Sequence, residues 1–249
     1  MSNAFFQRHA ASYATSESHA TGDDLLRLIG LLSVRPGEAA IDVATGTGHT
    51  AFALAAHGAR VTGIDPTPAM RAEAEDQARK RGLVIPVLPG TAEALPLPDG
   101  CADIVTCRRA AHHFSDIPRS LGEMARVLRP GGRLGLADMC PEPWAKDARN
   151  AIERLRDATH IEALDEEAWR ARIATAGLEL ASLELSVEET TFTQWMRPLA
   201  VDSPEAQAVR AAVRACPTRQ RQTICRSNGE IWLKRRVVIL AVRPKEATR

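Results

Sequence analysis

The stretch that most restricts what this chain can fold into is Ala40 to Ala51, AIDVATGTGHTA, where an apolar run breaks into two glycines and a helix pattern follows at once. It reads as a strand, a tight turn and a helix N-terminus. Gly46 and Gly48 allow φ values that other residues avoid and leave room for a ligand to lie against bare main chain. Thr45, Thr47, His49 and Thr50 place N–H groups and hydroxyls at the positive end of the helix dipole, which suits an anionic or carboxylate-bearing ligand. The spacing G-x-G-x-x-A is common to sites for several ribose-bearing cofactors, and it also arises where close packing alone demands glycine.

A second signal lies nineteen residues past Gly46, where Val61 to Ile64 reads as a short strand ending in Asp65. A carboxylate there accepts from both vicinal hydroxyls of a ribose, which NAD and S-adenosylmethionine both require. The same Asp65 is followed by Pro66, Thr67 and Pro68, so it serves equally well as the start of a helix cap.

At 249 residues the chain is long enough for one sizeable α/β domain, read here as residues 1–249, with a well-buried core. Its formal charge is +1 and no run of 18 apolar residues occurs, so neither a nucleic-acid partner nor a membrane span is expected. The first twenty residues lack the apolar centre of a signal peptide. Cysteines 101, 107, 140, 216 and 225 form no C-x-x-C pair, which points to reduced thiols, a cytoplasmic location, and neither metal site nor disulfide framework.

Residues 1–20 carry Phe5, Phe6, Tyr13 and His19 in a polar, Ser- and Ala-rich setting, the composition of a lid that packs over something. Thr21 to Asp24 resembles a capping box before the helix of Leu25, Leu28, Ile29 and Leu32. After Asp65, Thr67 as N-cap and Pro68 at the first helical position start a helix that stops at Gly82. Val84 to Leu88 is the next strand, and Pro86 marks it as an edge. The strand Ala102 to Cys107, a helix through Ile117, Leu121, Met124 and Leu128, and a fifth strand, Arg133 to Ala137, complete an alternation over residues 40–138. Such alternation predicts a Rossmann-like, doubly wound, mostly parallel sheet of seven strands that binds ligands beyond its strands' carboxyl ends. Beyond it, residues 144–234 predict helices near 145–159 and 166–176, a strand near 178–188 and a mostly helical stretch, together a cover for the substrate. The strand Arg235 to Arg243, antiparallel to the rest, closes the sheet.

Taken together, VATGTGHT, GID, GTAEALPLPDGCADIVTCRRAAHHFSD and EMARVLRPGGRL resemble a class I S-adenosylmethionine-dependent methyltransferase. The resemblance is to the small-molecule branch, similar to the enzymes of ubiquinone and menaquinone synthesis and to a bacterial group sharing CR-x-AAHHFSD. It implies S-adenosyl-L-methionine as cofactor, with Asp42, Ala44, Gly46, Thr47 and Gly48 around the methionine portion, Asp65 on the ribose and Pro66 beside the adenine. Thr91, Ala92 and Glu93 would line the adenine, although many relatives carry Asp where this chain has Thr91. Arg108 would sit by the methionine end, with Tyr13 reaching the cofactor from the lid. His112, His113 and Phe114 would face the cleft.

A methyl-transfer site needs an acceptor held in line with the sulfonium and a base only where that acceptor must lose a proton. His112 and His113 are the candidates for the proton, and Arg109 or Arg156 for steadying an anionic group, with His19 and His160 also on the substrate side. The partner is then a small-molecule methyl acceptor. Competing readings are a non-catalytic cofactor-binding module, a nicotinamide-dependent reductase and an RNA methyltransferase. The reductase lacks its usual mid-chain tyrosine, since Tyr13 is the only one. Residues 201–249 hold eleven Lys and Arg against four Asp and Glu, but without the interleaved aromatics on which single strands stack.

Overall fold

The computed structural model describes residues 2–245. In chain order its elements are α1 (Ser2–Ala14), α2 (Glu17–Ala20), α3 (Asp23–Leu32), β1 (Ala39–Val43), α4 (His49–Ala56), β2 (Arg60–Ile64), α5 (Pro68–Lys80), β3 (Val87–Leu88), β4 (Ala102–Arg108), α6 (Ile117–Val127) and β5 (Leu128–Met139). Then follow α7 (Lys146–Arg156), α8 (Glu166–Thr175), β6 (Glu179–Thr191), α9 (Phe192–Met196), α10 (Pro204–Ala215), α11 (Thr218–Ile224), β7 (Cys225–Arg226) and β8 (Ile231–Val242). The sheet runs β3-β2-β1-β4-β5-β8-β6. β1 through β5 pair in parallel, whereas β8 lies antiparallel to both β5 and β6. This is the expected Rossmann-like sheet with its antiparallel C-terminal strand. β8 outruns β5 beyond the Met139–Arg236 pair, and there the two-residue β7 pairs with its first residues as an eighth strand.

Both faces of the sheet are covered, so the central strands are apolar nearly throughout. On one face Leu121, Met124, Trp169 and Ile173 of α6 and α8 pack on Val105, Leu134 and Ile239. On the other, Leu28 and Leu32 of α3 and Leu54 of α4 close over Ala40, Ile104 and Val238. A third core, formed by Ile152, Phe192, Trp195, Val209 and Trp232, binds the cover helices to the far end of the long β6–β8 ribbon. No described helix is long and apolar enough to cross a membrane.

Several local expectations change. The strand foreseen over Val84 to Leu88 shrinks to Val87–Leu88, at the sheet edge that Pro86 implied, and Val84 is exposed. The fifth strand is longer, with a register shift between Ala102 and Ile104 of its partner where Pro130 and the two glycines interrupt the ladder. Thr21 to Asp24 forms no capping box: Gly22 is the N-cap of α3, no side chain caps it, and Asp24 turns inward. Gly22 leaves no room there, because a Cβ on it would stand 2.7 Å from both Asp24 and Arg109.

Candidate active site

The sheet order reverses at β1 and β4, and the loops at their carboxyl ends open a cavity of about 510 Å³. Ala44, Gly46 and Gly48 have φ of 54°, 55° and 94°, three left-handed residues that turn the chain from β1 into α4. A Cβ on Gly46 would meet no protein atom within 4 Å, so it would project into the cavity. A Cβ on Gly48 would strike the Phe52 ring at 2.5 Å. Gly46 therefore leaves space for a ligand and Gly48 leaves it for helix packing. Gly48, foreseen at the cofactor, does not line the cavity.

Two buried acids sit at its floor. Asp42 accepts from the hydroxyls of Thr45 and Thr106, each at 2.7 Å, and no cationic side chain bonds to it. Burial pushes its carboxyl up to about 6, against the pull of those hydroxyls. Asp65 accepts the backbone amides of Gly46 at 2.9 Å and Thr67 at 2.8 Å, and burial raises its pKa as well. The ribose-acid and helix-cap readings of Asp65 are thus compatible, since its carboxylate ties the glycine turn to the start of α5 while still lining the cavity. Each carboxylate oxygen keeps a lone pair, so this floor suits a ligand bearing both an ammonium and a diol. Pro66, Met70, Thr91, Ala92 and Glu93 continue the wall, and Glu93 is itself tied to the amide and hydroxyl of Ser115 at 2.9 Å.

The N-terminal segment roofs this space. Gln7 accepts the Ala69 amide at 3.1 Å near the start of α5, and His49 bonds the Tyr13 carbonyl at 3.0 Å. Phe6, Tyr13 and His19 line the cavity together with His113 and Arg109, and the same five residues line a second cavity of about 150 Å³. The two spaces share one wall.

Around the second cavity the charges are arranged by burial. Asp24 receives Arg108 at 2.9 Å and Arg109 at 2.7 Å, both bidentate. Burial alone would raise the Asp24 pKa, but Arg109 and Arg108 outweigh it and hold the carboxyl far below its usual range. Arg109 has φ 53°, a left-handed backbone that aims it back at Asp24. Arg156 pairs with Glu153 at 3.2 Å and lies over Trp195, its guanidinium carbon 4.9 Å from the ring centroid.

The adjacent histidines differ. His112 meets Asp138 through Nδ1 at 2.5 Å; a carboxylate only accepts, so Nδ1 carries a proton, and the ring lines the second cavity. Burial works to raise the Asp138 pKa, and the neighbouring His112 more than reverses it. His113 donates from Nδ1 to the Thr159 carbonyl at 3.1 Å; burial, with His112 beside it, pushes its pKa down to about 3. It stays neutral near pH 7.

Of the residues expected at the cofactor, Asp42, Ala44, Gly46, Thr47, Asp65, Pro66, Thr91, Ala92, Glu93, Arg108 and Tyr13 line the larger cavity. Arg109, His113 and His19 line both, and His112 and Arg156 line only the smaller. His160 lines neither: its Nε2 meets Asn150 at 2.7 Å and it is buried within the loop before α8. Sequence reasoning missed Asp24 of α3, Arg149 and Glu153 of α7, and Lys234 and Arg236 of β8, which reach the smaller cavity or its arginines. Asp138 lies near the carboxyl end of β5, and nothing in the sequence joins it to His112.

Comparison with known proteins agrees with this geometry. A family profile described as a methyltransferase domain matches residues 41–136. The chain is 34% identical over 201 residues to the uncharacterized methyltransferase YcgJ of Bacillus subtilis, covering 80% of this chain and 76% of that protein. The crystal structure of YcgJ superposes with a TM-score of 0.84 over 91% of this chain and all of that one, at 27% identity. A demethylmenaquinone methyltransferase of Thermus thermophilus is 46% identical over 105 residues, 41% of this chain and 48% of that protein. The 27-O-demethylrifamycin SV methyltransferase of Amycolatopsis mediterranei is 34% identical over 178 residues, 69% of this chain and 64% of that protein. With the glycine turn, the following acid and the sheet order in place, the chain belongs to the class I S-adenosylmethionine-dependent methyltransferases.

Proposed function

We propose that S-adenosyl-L-methionine occupies the larger cavity and that a small-molecule acceptor enters the smaller one. The observation that carries this reading is Asp42, a buried carboxylate without a cationic partner, beside a glycine whose missing Cβ opens onto the cavity. Asp42 takes the ammonium of the methionine portion, and the free lone pairs of Asp65 accept the ribose hydroxyls. Pro66, Met70, Thr91, Ala92 and Glu93 border the space for the adenine. Glu93 is engaged by Ser115, so Thr91 is the acceptor nearest to hand for an exocyclic amine.

The bound cofactor supplies a methyl group already electrophilic on a sulfonium sulfur. The chain's part is to hold the acceptor in line at about 3 Å and to keep water out. Residues 1–20 act as the cover, through Phe6, Tyr13 and His19 over the shared wall. His112, with its proton fixed by Asp138, takes a proton from the acceptor at Nε2, and His113 stays neutral as a hydrogen-bond acceptor. The relatives named for menaquinone and rifamycin methylation support a small organic acceptor.

Isothermal titration with S-adenosylhomocysteine, followed by a metabolite panel read out as S-adenosylhomocysteine release, tests the reading. Binding with turnover on small acceptors is expected. Tighter binding of NADH, or cofactor binding without turnover of any acceptor, would overturn it in favour of a reductase or a binding module.

A further inference from the structure

We infer that the smaller cavity is built for a small carboxylic acid, held by Arg149 and Arg236 with the atom to be methylated turned toward His112. The inference rests on the methyl-transfer reading for the second half of that statement only.

The cavity's wall carries Arg109, Arg149, Arg156, Lys234, Arg235 and Arg236 against only Glu153 and Asp157. Acids behind the wall do not make up the difference. Asp24 is shared between Arg108 and Arg109, Glu188 between Lys234 at 3.3 Å and Arg236 at 3.5 Å, and Glu142 serves Arg235 at 3.1 Å. Asp138 is taken by His112. Seven cations thus face five carboxylates apart from that histidine pair, all in or against one buried space.

Two of these cations keep guanidinium donors that their own acids do not take up. Arg149 is 5% exposed; it pairs with Glu153 through Nε at 3.2 Å and donates Nη2 to the Leu233 carbonyl at 2.8 Å, but its Nη1 is buried with no acceptor. A buried guanidinium N–H without an acceptor destabilises the fold unless something else accepts from it. Arg236 is 8% exposed, and its closest acid is Glu188 at that long 3.5 Å. Burial, then repulsion from Arg109, pushes its guanidinium down to about 10. A planar carboxylate accepts from guanidinium in the fork geometry that arginine offers.

Size and position narrow the occupant. An apolar cavity of about 150 Å³ holds one benzene-sized molecule, so the part inside is about one ring. Phe6, Tyr13 and Trp195 supply aromatic wall for it. Arg149 and Arg236 do not line the cofactor space, whereas Arg109 and His113 belong to the wall shared with it. The carboxylate therefore lies away from the methyl donor and is not itself methylated. In the transfer, a hydroxyl oxygen on the ring forms a bond to the methyl carbon as the carbon–sulfur bond breaks, its electron pair going to sulfur. The hydroxyl proton passes to His112 Nε2, leaving a methyl ether, S-adenosylhomocysteine and an imidazolium that releases its proton to solvent.

The test uses the full chain saturated with S-adenosylhomocysteine and titrated with benzoate, benzamide and inorganic phosphate, and the same series on Arg236→Gln. Benzoate is expected to bind at least tenfold more tightly than benzamide. Arg236→Gln should remove most of that preference while S-adenosylhomocysteine affinity, which reports a folded cofactor site, stays within twofold. Equal affinities for benzoate and benzamide would overturn the inference. Phosphate binding as tightly as benzoate would overturn it too, in favour of a phosphate site. Should S-adenosylhomocysteine fail to bind while free protein still prefers benzoate, the methyl-transfer reading falls and the acid site stands.

Discussion

The two cavities share a wall and carry opposite charge. The larger is lined by three carboxylates, Asp42, Asp65 and Glu93, and its two arginines are both tied to Asp24. The smaller is lined by six basic side chains and two acids. A cationic sulfonium donor and an anionic acceptor would each find its complement, and each would be repelled from the other's place. The cavities also differ in construction: main chain shapes the first, through left-handed turns and a missing Cβ, whereas side chains from α7, α9 and β8 shape the second.

The largest test of that contrast is Gly46→Val. A β-branched residue at φ 55° is strained, and its side chain would fill the cavity, so S-adenosylhomocysteine binding should vanish from calorimetry while the smaller cavity keeps its ligand preference. Retained affinity would show that main chain does not shape the first site. His112→Ala should then lower turnover by roughly 10²–10⁴-fold with cofactor affinity unchanged. His113→Ala, removing an already neutral ring, should cost less than about tenfold and leave the pH profile above about 5 as it was. Equal losses in the two variants would return the proton-transfer role to both rings.

Asp24→Asn probes what the cavities hold in common, because it strands two buried guanidiniums. About 3–5 kcal/mol of stability should be lost in urea unfolding, by analogy with broken buried pairs. A loss below about 1 kcal/mol would mean that solvent or another acid already serves them.

The pH dependence of cofactor binding is smaller again. Asp42 has its pKa raised to about 6, so a cationic ligand meets a carboxylate above that pH and a neutral acid below it. Affinity for S-adenosylhomocysteine should fall by up to about tenfold per pH unit below 6 and level off above it, with the slope absent in Asp42→Asn. For the ligand-free protein the sign reverses. The Asp42 contribution to stability is fully present below the unfolded value near about 4 and is lost as pH rises through about 6. Least affected of all should be His160→Gln, which lies outside both cavities: both ligand affinities should hold within twofold, with about 1 kcal/mol lost from its bond to Asn150.

How far each site could be read from the sequence follows the same division. The turn of residues 42–48 and the acid at 65 are local: a strand, a glycine turn and a helix start in contiguous residues, with backbone geometry dictated by which positions lack a Cβ. The alternation of elements through residue 138 likewise comes from short-range apolar patterning, and the sheet order follows it. Gly48 shows where local reading stops, since its spacing matched a cofactor contact and only the packed position of Phe52 gave it a different task. Asp24 shows the same limit, its place in a cap-like tetrad giving no hint of two arginines more than eighty residues away.

By itself, then, the sequence determined the Rossmann-like sheet and the location of the glycine turn and its acid, because period, turn chemistry and spacing act over a few residues. Only the tertiary structure decided that His112 pairs with Asp138, that Asp24 neutralises Arg108 and Arg109, and that Arg149 and Arg236 converge on one small cavity. Those contacts join residues 26 to 85 positions apart, and what fixes them is burial, which forces each charge to find whatever partner the packed elements bring within reach.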